Sequence, residues 1–483
     1  YNPIWENISV TNARVTLPDG TVKNVRPEEV NIMDASWCAS APRYPAEKIL
    51  VVNLPGVEVG SIIEYEVNTK AFDQSFYHGI VELNDFDPIE KTKIEIHMPK
   101  SLNHKKEAKG CNISESIKDQ MYVISLKDEN QTTVLIEEDL PPWHTFNPYL
   151  IITTSDWKSY VNQINKELKR ATTGQDEARA LARELTKNIS NKHDRIRALR
   201  DWVFKNIRPA GPHFTELPLK YLTSADTTLS HRYGNHADRM ILLYSLLKSA
   251  GIHADWYLCN TDSVLNEVNE IYDNFPSTTH FTMFVLKIIH DGTPLYLTGN
   301  SNYSELGTTV FDQHPILSIK SGEIEKIEIK DILKDLEQEE INLTLKNNGD
   351  LIYDYLKIDQ GVNYEDYKKM WTEMTPELRR RFHEELITTV AENAVADGEL
   401  ITEYDKYPGR TKFRAKASRY AVIDDQYMYC SIYRMFDGLL AFESSNRINP
   451  YDFDYWYDEK MTLNIKLPEQ YELVSYPHSF EWH

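Results

Sequence analysis

From Ile8 to about Pro142, short runs of β-branched and aromatic residues alternate with turn signals at Leu17-Pro18-Asp19-Gly20, Leu54-Pro55-Gly56 and Asp85-Phe86-Asp87-Pro88. Segments such as Ile62-Ile63-Glu64-Tyr65-Glu66-Val67 and Lys93-Ile94-Glu95-Ile96-His97-Met98 alternate with period two, the signature of half-buried strands. The pattern predicts an N-terminal β-sandwich domain over residues 1–154. After Ser155 the period lengthens, with Trp157, Val161, Ile164 and Leu168 at helical intervals and a second helix from about Gln175 to Asn188. A third helix is expected behind Asn191 as N-cap, with Asp194 three residues on and an apolar stripe of Ile196, Leu199, Val203 and Ile207 that ends before Pro209. The next helix, about Asn235 to Ala250, is apolar on nearly every face through Met240–Leu247, so it belongs inside a domain. Gly251 supplies its left-handed cap, and strand-like runs follow at Ala254–Cys259, His280–Ile288 and Pro294–Thr298. A buried helix packed on such a sheet predicts an α+β core over 155–315.

Beyond Ile316 the chain reads as β again, with an amphipathic helical insert that opens on Thr375 as N-cap and Pro376 at the first helical position and runs to about Ala396. The alternating run Met461–Pro468 closes a C-terminal β domain over 316–483. The expected fold class is therefore multidomain α+β, with β-rich domains flanking the core. No fixed-period repeat suggests a solenoid.

Length agrees with this division, since 483 residues exceed what one hydrophobic core supports and three domains of ~150 residues are natural. The net charge of −21, from 74 acidic against 53 basic residues, repels phosphate backbones and excludes nucleic acid as a partner. The longest apolar runs, Leu150–Ile152 and Met240–Leu247, fall far short of the ~20 residues of a membrane helix. The chain begins at Tyr1 without an n-region or h-region, which reads as a removed leader or a trimmed start. Cys38, Cys111, Cys259 and Cys430 are scattered without CxxC spacing and fit isolated thiols better than a disulfide framework.

The chemistry concentrates in Ser224-Ala225-Asp226-Thr227-Thr228-Leu229-Ser230-His231-Arg232-Tyr233-Gly234-Asn235-His236-Ala237-Asp238-Arg239, which runs directly into the buried helix. This stretch resembles the transglutaminase-like family, whose pattern is an arginine and an aromatic, Gly, a polar residue, the catalytic Cys, any residue and Asp, then a Leu-rich helix ending in Ala-Gly-Ile. Arg232, Tyr233, Gly234, Asn235 and Asp238 match, as do Leu246-Leu247-Lys248-Ser249-Ala250-Gly251-Ile252; the cysteine is replaced by His236. The resemblance implies a papain-like fold and a catalytic triad whose second member is a His opening a strand, matched by His280. The third is an orienting Asp, replaced by Thr298 in Leu295-Tyr296-Leu297-Thr298-Gly299-Asn300. A thiol at a buried helix N-terminus is activated by the positive end of the macrodipole, whereas an imidazole there is held neutral and is a poor acyl acceptor. Loss of the nucleophile alone removes most of a triad's rate enhancement. The expectation is thus a non-catalytic homologue of the cysteine-protease type, with His236, His280 and Thr298 at degenerate triad positions and Tyr233, Asn235 and Asp238 lining a cleft for a peptide, glycan or protein. The alternative is an active hydrolase or acyl transferase with a non-standard site around His236, Asp238 and His280.

Imidazole and carboxylate at His236, Asp238 and His280, with His231, are of metal-ligating type, but no HExxH supports such a site, since His383-Glu384-Glu385-Leu386-Ile387 lacks the second His. No metal and no cofactor is expected. Cys259 reads as a structural thiol in a strand, and no Gly-x-Ser-x-Gly elbow or phosphate loop is present. The acidic aromatic run Asn449–Asp458 reads as a solvated strand edge. Val15–Thr21 with Leu54–Tyr65 resembles the domain of unknown function that precedes such cores in exported bacterial proteins, and Arg447–Phe453 with Leu467–Leu473 resembles their C-terminal β domain. That likeness implies export to the periplasm or cell surface of a Gram-negative bacterium.

Overall fold

The computed structural model describes residues 1–129, 131–299, 301–430, 447–452 and 458–474. These divide into two units, one of residues 1–302, 313–327 and 449–451, the other drawn from 303–312 and the chain beyond 328. The protein is multidomain α+β, with eight α-helices among the described residues.

The period-two segments of the first unit become antiparallel strands. Lys91–Pro99 pairs with Met121–Glu129 and that with Ile113–Lys118, while Tyr149–Thr153 is flanked by His78–Glu82 and Lys105–Lys109. Because side chains alternate across a strand, the two sheets bury their apolar faces on each other through Leu83, Met98, Ile124, Leu126, Leu150 and Ile152. Glu6–Thr16 pairs separately with Val22–Asn24 and Ile62–Ala71.

The helical region of this unit comprises α1 (Trp157–Ala171), α2 (Asp176–Thr186), α3 (Lys192–Asn206), α4 (Ala225–His231), α5 (His236–Ser249) and α6 (Asn266–Asn274). Asn191 caps α3 by accepting from the amides of His193 and Asp194, as its position before the apolar stripe implied. Met240, Ile241, Leu242, Leu243, Leu246 and Leu247 of α5 are all fully buried, so this helix is the axis of the core. It ends at Ala250, with Gly251 at φ +74°. Its Tyr244 packs on Trp256, ring centroids 4.8 Å apart, and Trp256 meets Phe284 at 5.5 Å, which seats the helix on a five-stranded antiparallel sheet. The sheet runs Thr293–Leu297, Met283–His290, Asp255–Cys259, Pro315–Ser318, Ile324–Lys326. Its last two strands lie in the stretch beyond about Ile316 that the sequence reads as β-like, while helices α4 and α6 have only short, unremarkable sequence signals.

The second unit is built on the ten-residue strands Leu336–Leu345 and Leu351–Gln360, extended by Gly409–Ala417 on one side and, in parallel, by Asp458–Lys466 on the other. Helices α7 (Gly361–Glu373) and α8 (Pro376–Val390) cover it through Tyr364, Trp371, Ile387, Tyr404 and Phe413. Thr375 caps α8 through the Leu378 amide, with Pro376 in the first turn as the sequence implied. A charged group lies inside this unit: Asp359 is fully buried, accepts from the Tyr404 hydroxyl, and stands 3.6 Å from Lys357 Nζ, which pairs with Glu337 at 2.8 Å. All four cysteines are free, and no described helix is long and apolar enough to cross a membrane. Of the acidic aromatic run at 449–458, residues 453–457 lie outside the described residues.

Candidate functional site

The sequence around the start of α5 folds as it does because its backbone donors must find partners inside the protein. Asn235 takes the extended N-cap conformation, its Oδ1 accepting from the Asp238 amide at 3.0 Å and its Nδ2 donating to the Pro212 carbonyl at 2.9 Å. His236 is therefore the first residue of the helix, the place where the family pattern puts its sulfur. Asp238 does not face a ligand. Its Oδ1 accepts from the Thr223 amide at 2.9 Å, and its Oδ2 accepts from Arg43 at 2.8 Å and from the Tyr44 hydroxyl at 2.5 Å. The Tyr44 oxygen accepts in turn from the Asn235 amide at 2.7 Å, and burial together with the Asp238 charge keeps this phenol protonated. Tyr233 completes the clasp: its hydroxyl accepts from the Arg43 amide at 2.8 Å and its carbonyl from the guanidinium at 3.0 Å. Asp238 is 1% exposed and Asn235 7% exposed. Tyr233, Asn235 and Asp238 are thus occupied by a segment nearly two hundred residues earlier, which no local signal in the sequence could reveal.

His236 has a different environment. Its Nε2 lies 3.1 Å from the Thr298 carbonyl, and since a carbonyl only accepts, Nε2 carries the proton and Nδ1 a bare lone pair. Nδ1 is buried without a hydrogen-bond partner. Burial chiefly, reinforced by the positive charge of Arg239 and by His213, pushes the imidazole down to about 4, so it is neutral at physiological pH. Gly299, at φ +85°, lets the chain pass close: a Cβ there would stand 2.7 Å from Nε2 and 3.5 Å from the Phe204 ring. Thr298 is brought to His236, through its main chain rather than as an orienting carboxylate.

His280 has neighbours of its own. It was expected to open the strand, yet the strand starts at Met283 and His280 lies in the preceding turn. The physical reason is α6, whose Tyr272 stacks on the imidazole at 3.7 Å, while Phe281 meets its edge at 4.7 Å and Asn260 Nδ2 lies 3.5 Å from Nε2. Burial, with a smaller contribution from His144, pushes it down to about 3. No hydrogen bond or ring contact joins His280 to His236 among the described residues.

Two neighbours of His236 were missed in the sequence. His213 donates to the Thr282 backbone and is held neutral by burial, and Arg239 follows His236 by one helical turn. His231 is exposed and stacks on Tyr233 at 5.9 Å. No group of three His, Cys, Asp or Glu able to hold a metal is found among the described residues. Cys259 is fully buried, donates to the Asn260 carbonyl at 3.1 Å, and its thiol is pushed far up by burial, which removes it as a nucleophile. The assembled groups hold neutral imidazoles and a guanidinium. They include no thiolate and no carboxylate oriented on an imidazole.

Comparison with protein families matches residues 179–280 to the transglutaminase-like superfamily core and residues 1–143 to a domain of unknown function, DUF3857. No curated protein matches the chain. A crystal structure of a putative protease from Parabacteroides distasonis is similar at 15% identity with a TM-score of 0.58, over 86% of this chain and 84% of that one, which shows a shared fold. A structure of a putative cysteine protease from Cytophaga hutchinsonii aligns at 15% identity over 46% of this chain and 70% of that one, with a TM-score of 0.22.

Proposed function

From the premise that this chain carries a transglutaminase-like core at residues 179–280 behind a DUF3857 domain, we propose that it is a non-catalytic member of the cysteine-protease type that binds a partner at the inherited corner of α5. The observation that carries this reading is the state of His236: a neutral imidazole at the first helical position, its one N–H committed to the Thr298 carbonyl. Acyl transfer needs a nucleophile, a base and an orienter acting as a unit. Here the nucleophile is an imidazole with a sealed lone pair, the residue at the orienting position contributes a carbonyl, and His280 is stacked under Tyr272. The reading extends to a peptide, glycan or protein as the bound partner and to export to the periplasm or surface of a Gram-negative bacterium.

Incubation of the full chain with generic peptide and amine acyl acceptors, with and without chelator, tests it. The expected result is no turnover above buffer. Turnover that disappears in His236→Ala or His280→Ala would overturn it.

A further inference from the structure

Arg239 lies on α5 one turn after His236, with its guanidinium 4.3 Å over the Phe204 ring and one terminal nitrogen 3.4 Å from the Phe204 carbonyl. Its Nε is buried with no partner, and no carboxylate lies within 4 Å of the guanidinium among the described residues. Burial lowers its pKa to about 10, which leaves it charged at neutral pH. A trapped water can complete the hydrogen bond of Nε; it cannot balance the charge. The same corner holds His236 and His213, both neutral, and the positive end of α5. The guanidinium thus stands near the start of α5 with burial, and no paired carboxylate, acting on it. Arg239 as a whole is half-buried.

We propose that the corner formed by Arg239, His236 and Phe204 binds a carboxylate, supplied by the free C-terminus or an acidic side chain of a peptide. This rests on the reading of the corner as a binding site and names the group it selects. The planar guanidinium fork matches a carboxylate, and a single uncompensated charge fits a monoanion better than a phosphate dianion.

Calorimetric titration of the full chain with N-acetyl-L-alanine, N-acetyl-L-alaninamide and inorganic phosphate tests the proposal, with ¹⁵N shifts of the His236 ring, assigned by comparison with His236→Gln, as the local readout. The acid is expected to bind saturably and to shift His236, with the amide and phosphate each at least about tenfold weaker. In Arg239→Gln the acid should weaken at least about tenfold while the amide is unaffected. Arg239→Lys, which keeps the charge and loses the fork, should fall between, and it decides the matter if the Gln variant does not fold. Equal affinity for acid and amide, no saturable shift of His236, tighter phosphate than acid, or acid binding unchanged in both Arg239 variants would each overturn the proposal. Peptide turnover by the wild-type chain would instead sink the non-catalytic reading while leaving an acid-over-amide preference standing.

Discussion

At the scale of single residues, the environment of position 236 is suited to an anion and is filled by a base that cannot become one. If the residue is exchanged for cysteine, the helix terminus and Arg239 both act to favour the thiolate. His236→Cys is therefore expected to react with iodoacetamide at neutral pH at least about tenfold faster than Cys259, whose buried thiol is pushed up; mass spectrometry of the modified sites checks it, and equal rates would count against the placement. The two depressed imidazoles also link stability to pH. Their folded values near 4 and 3 lie below the ordinary 6.5, so the native state binds fewer protons than the unfolded chain. Their contribution is complete above about pH 6.5 and is lost as pH falls toward 4 and 3. For His236 it amounts to at most about 3 kcal/mol. His280→Gln should flatten the acid limb of the first unit's unfolding, followed as denaturant midpoints between pH 7 and 4.

Among the elements, α5 is held at its first turn by a segment of the N-terminal region, and the clasp divides into two strengths. Arg43→Ala leaves Asp238 buried without its cation and is expected to cost about 3–5 kcal/mol. Tyr44→Phe strands the Asn235 amide and leaves Oδ2 of Asp238 to Arg43 alone, and should cost about 1–3 kcal/mol. Thermal unfolding gives both values, and faster hydrogen exchange at the Asn235 amide shows whether the helix mouth is where the loss falls. The helix itself was legible in the sequence: a run apolar all round, Asn235 before it and Gly251 after it left little choice. So were the caps Asn191 and Thr375, because a cap is written within three residues of its helix. What could not be read is whatever joins distant segments. Arg43 and Tyr44 carry no local mark of their attachment to Asp238. The displacement of His280 depends on α6, nine residues with only Val268 and Ile271 as buried apolar anchors, too short to display a period. Motif matching set His236 and Thr298 close together because strand and helix transmit their spacing; it had no hold on a turn.

For the whole molecule, the two units respond to acid in opposite senses. Asp359 in the second unit is pushed up to about 6, chiefly by burial, against an ordinary value of 3.8. Its folded form takes a proton more readily than the unfolded chain, so the stability of this unit rises as pH falls through 6 and levels off near 4. The imidazoles of the first unit act the other way over the same interval. Calorimetric scans from pH 7.5 to 5.0 are expected to show two transitions shifting in opposite directions. Asp359→Asn should stabilise the second unit at pH 7.5 by on the order of 1 kcal/mol and abolish its shift; a single transition moving one way would refute the assignment.

The close approach of Tyr44 to Gly211 bears on how such chains diverge. A methyl group added at 211 would fall 2.2 Å from the aromatic ring. Any lineage that enlarges position 211 must first shrink or turn away position 44, and with it loosen the hydroxyl that serves the helix mouth. Position 44 thus holds the key to position 211: the glycine stays locked for as long as the tyrosine does.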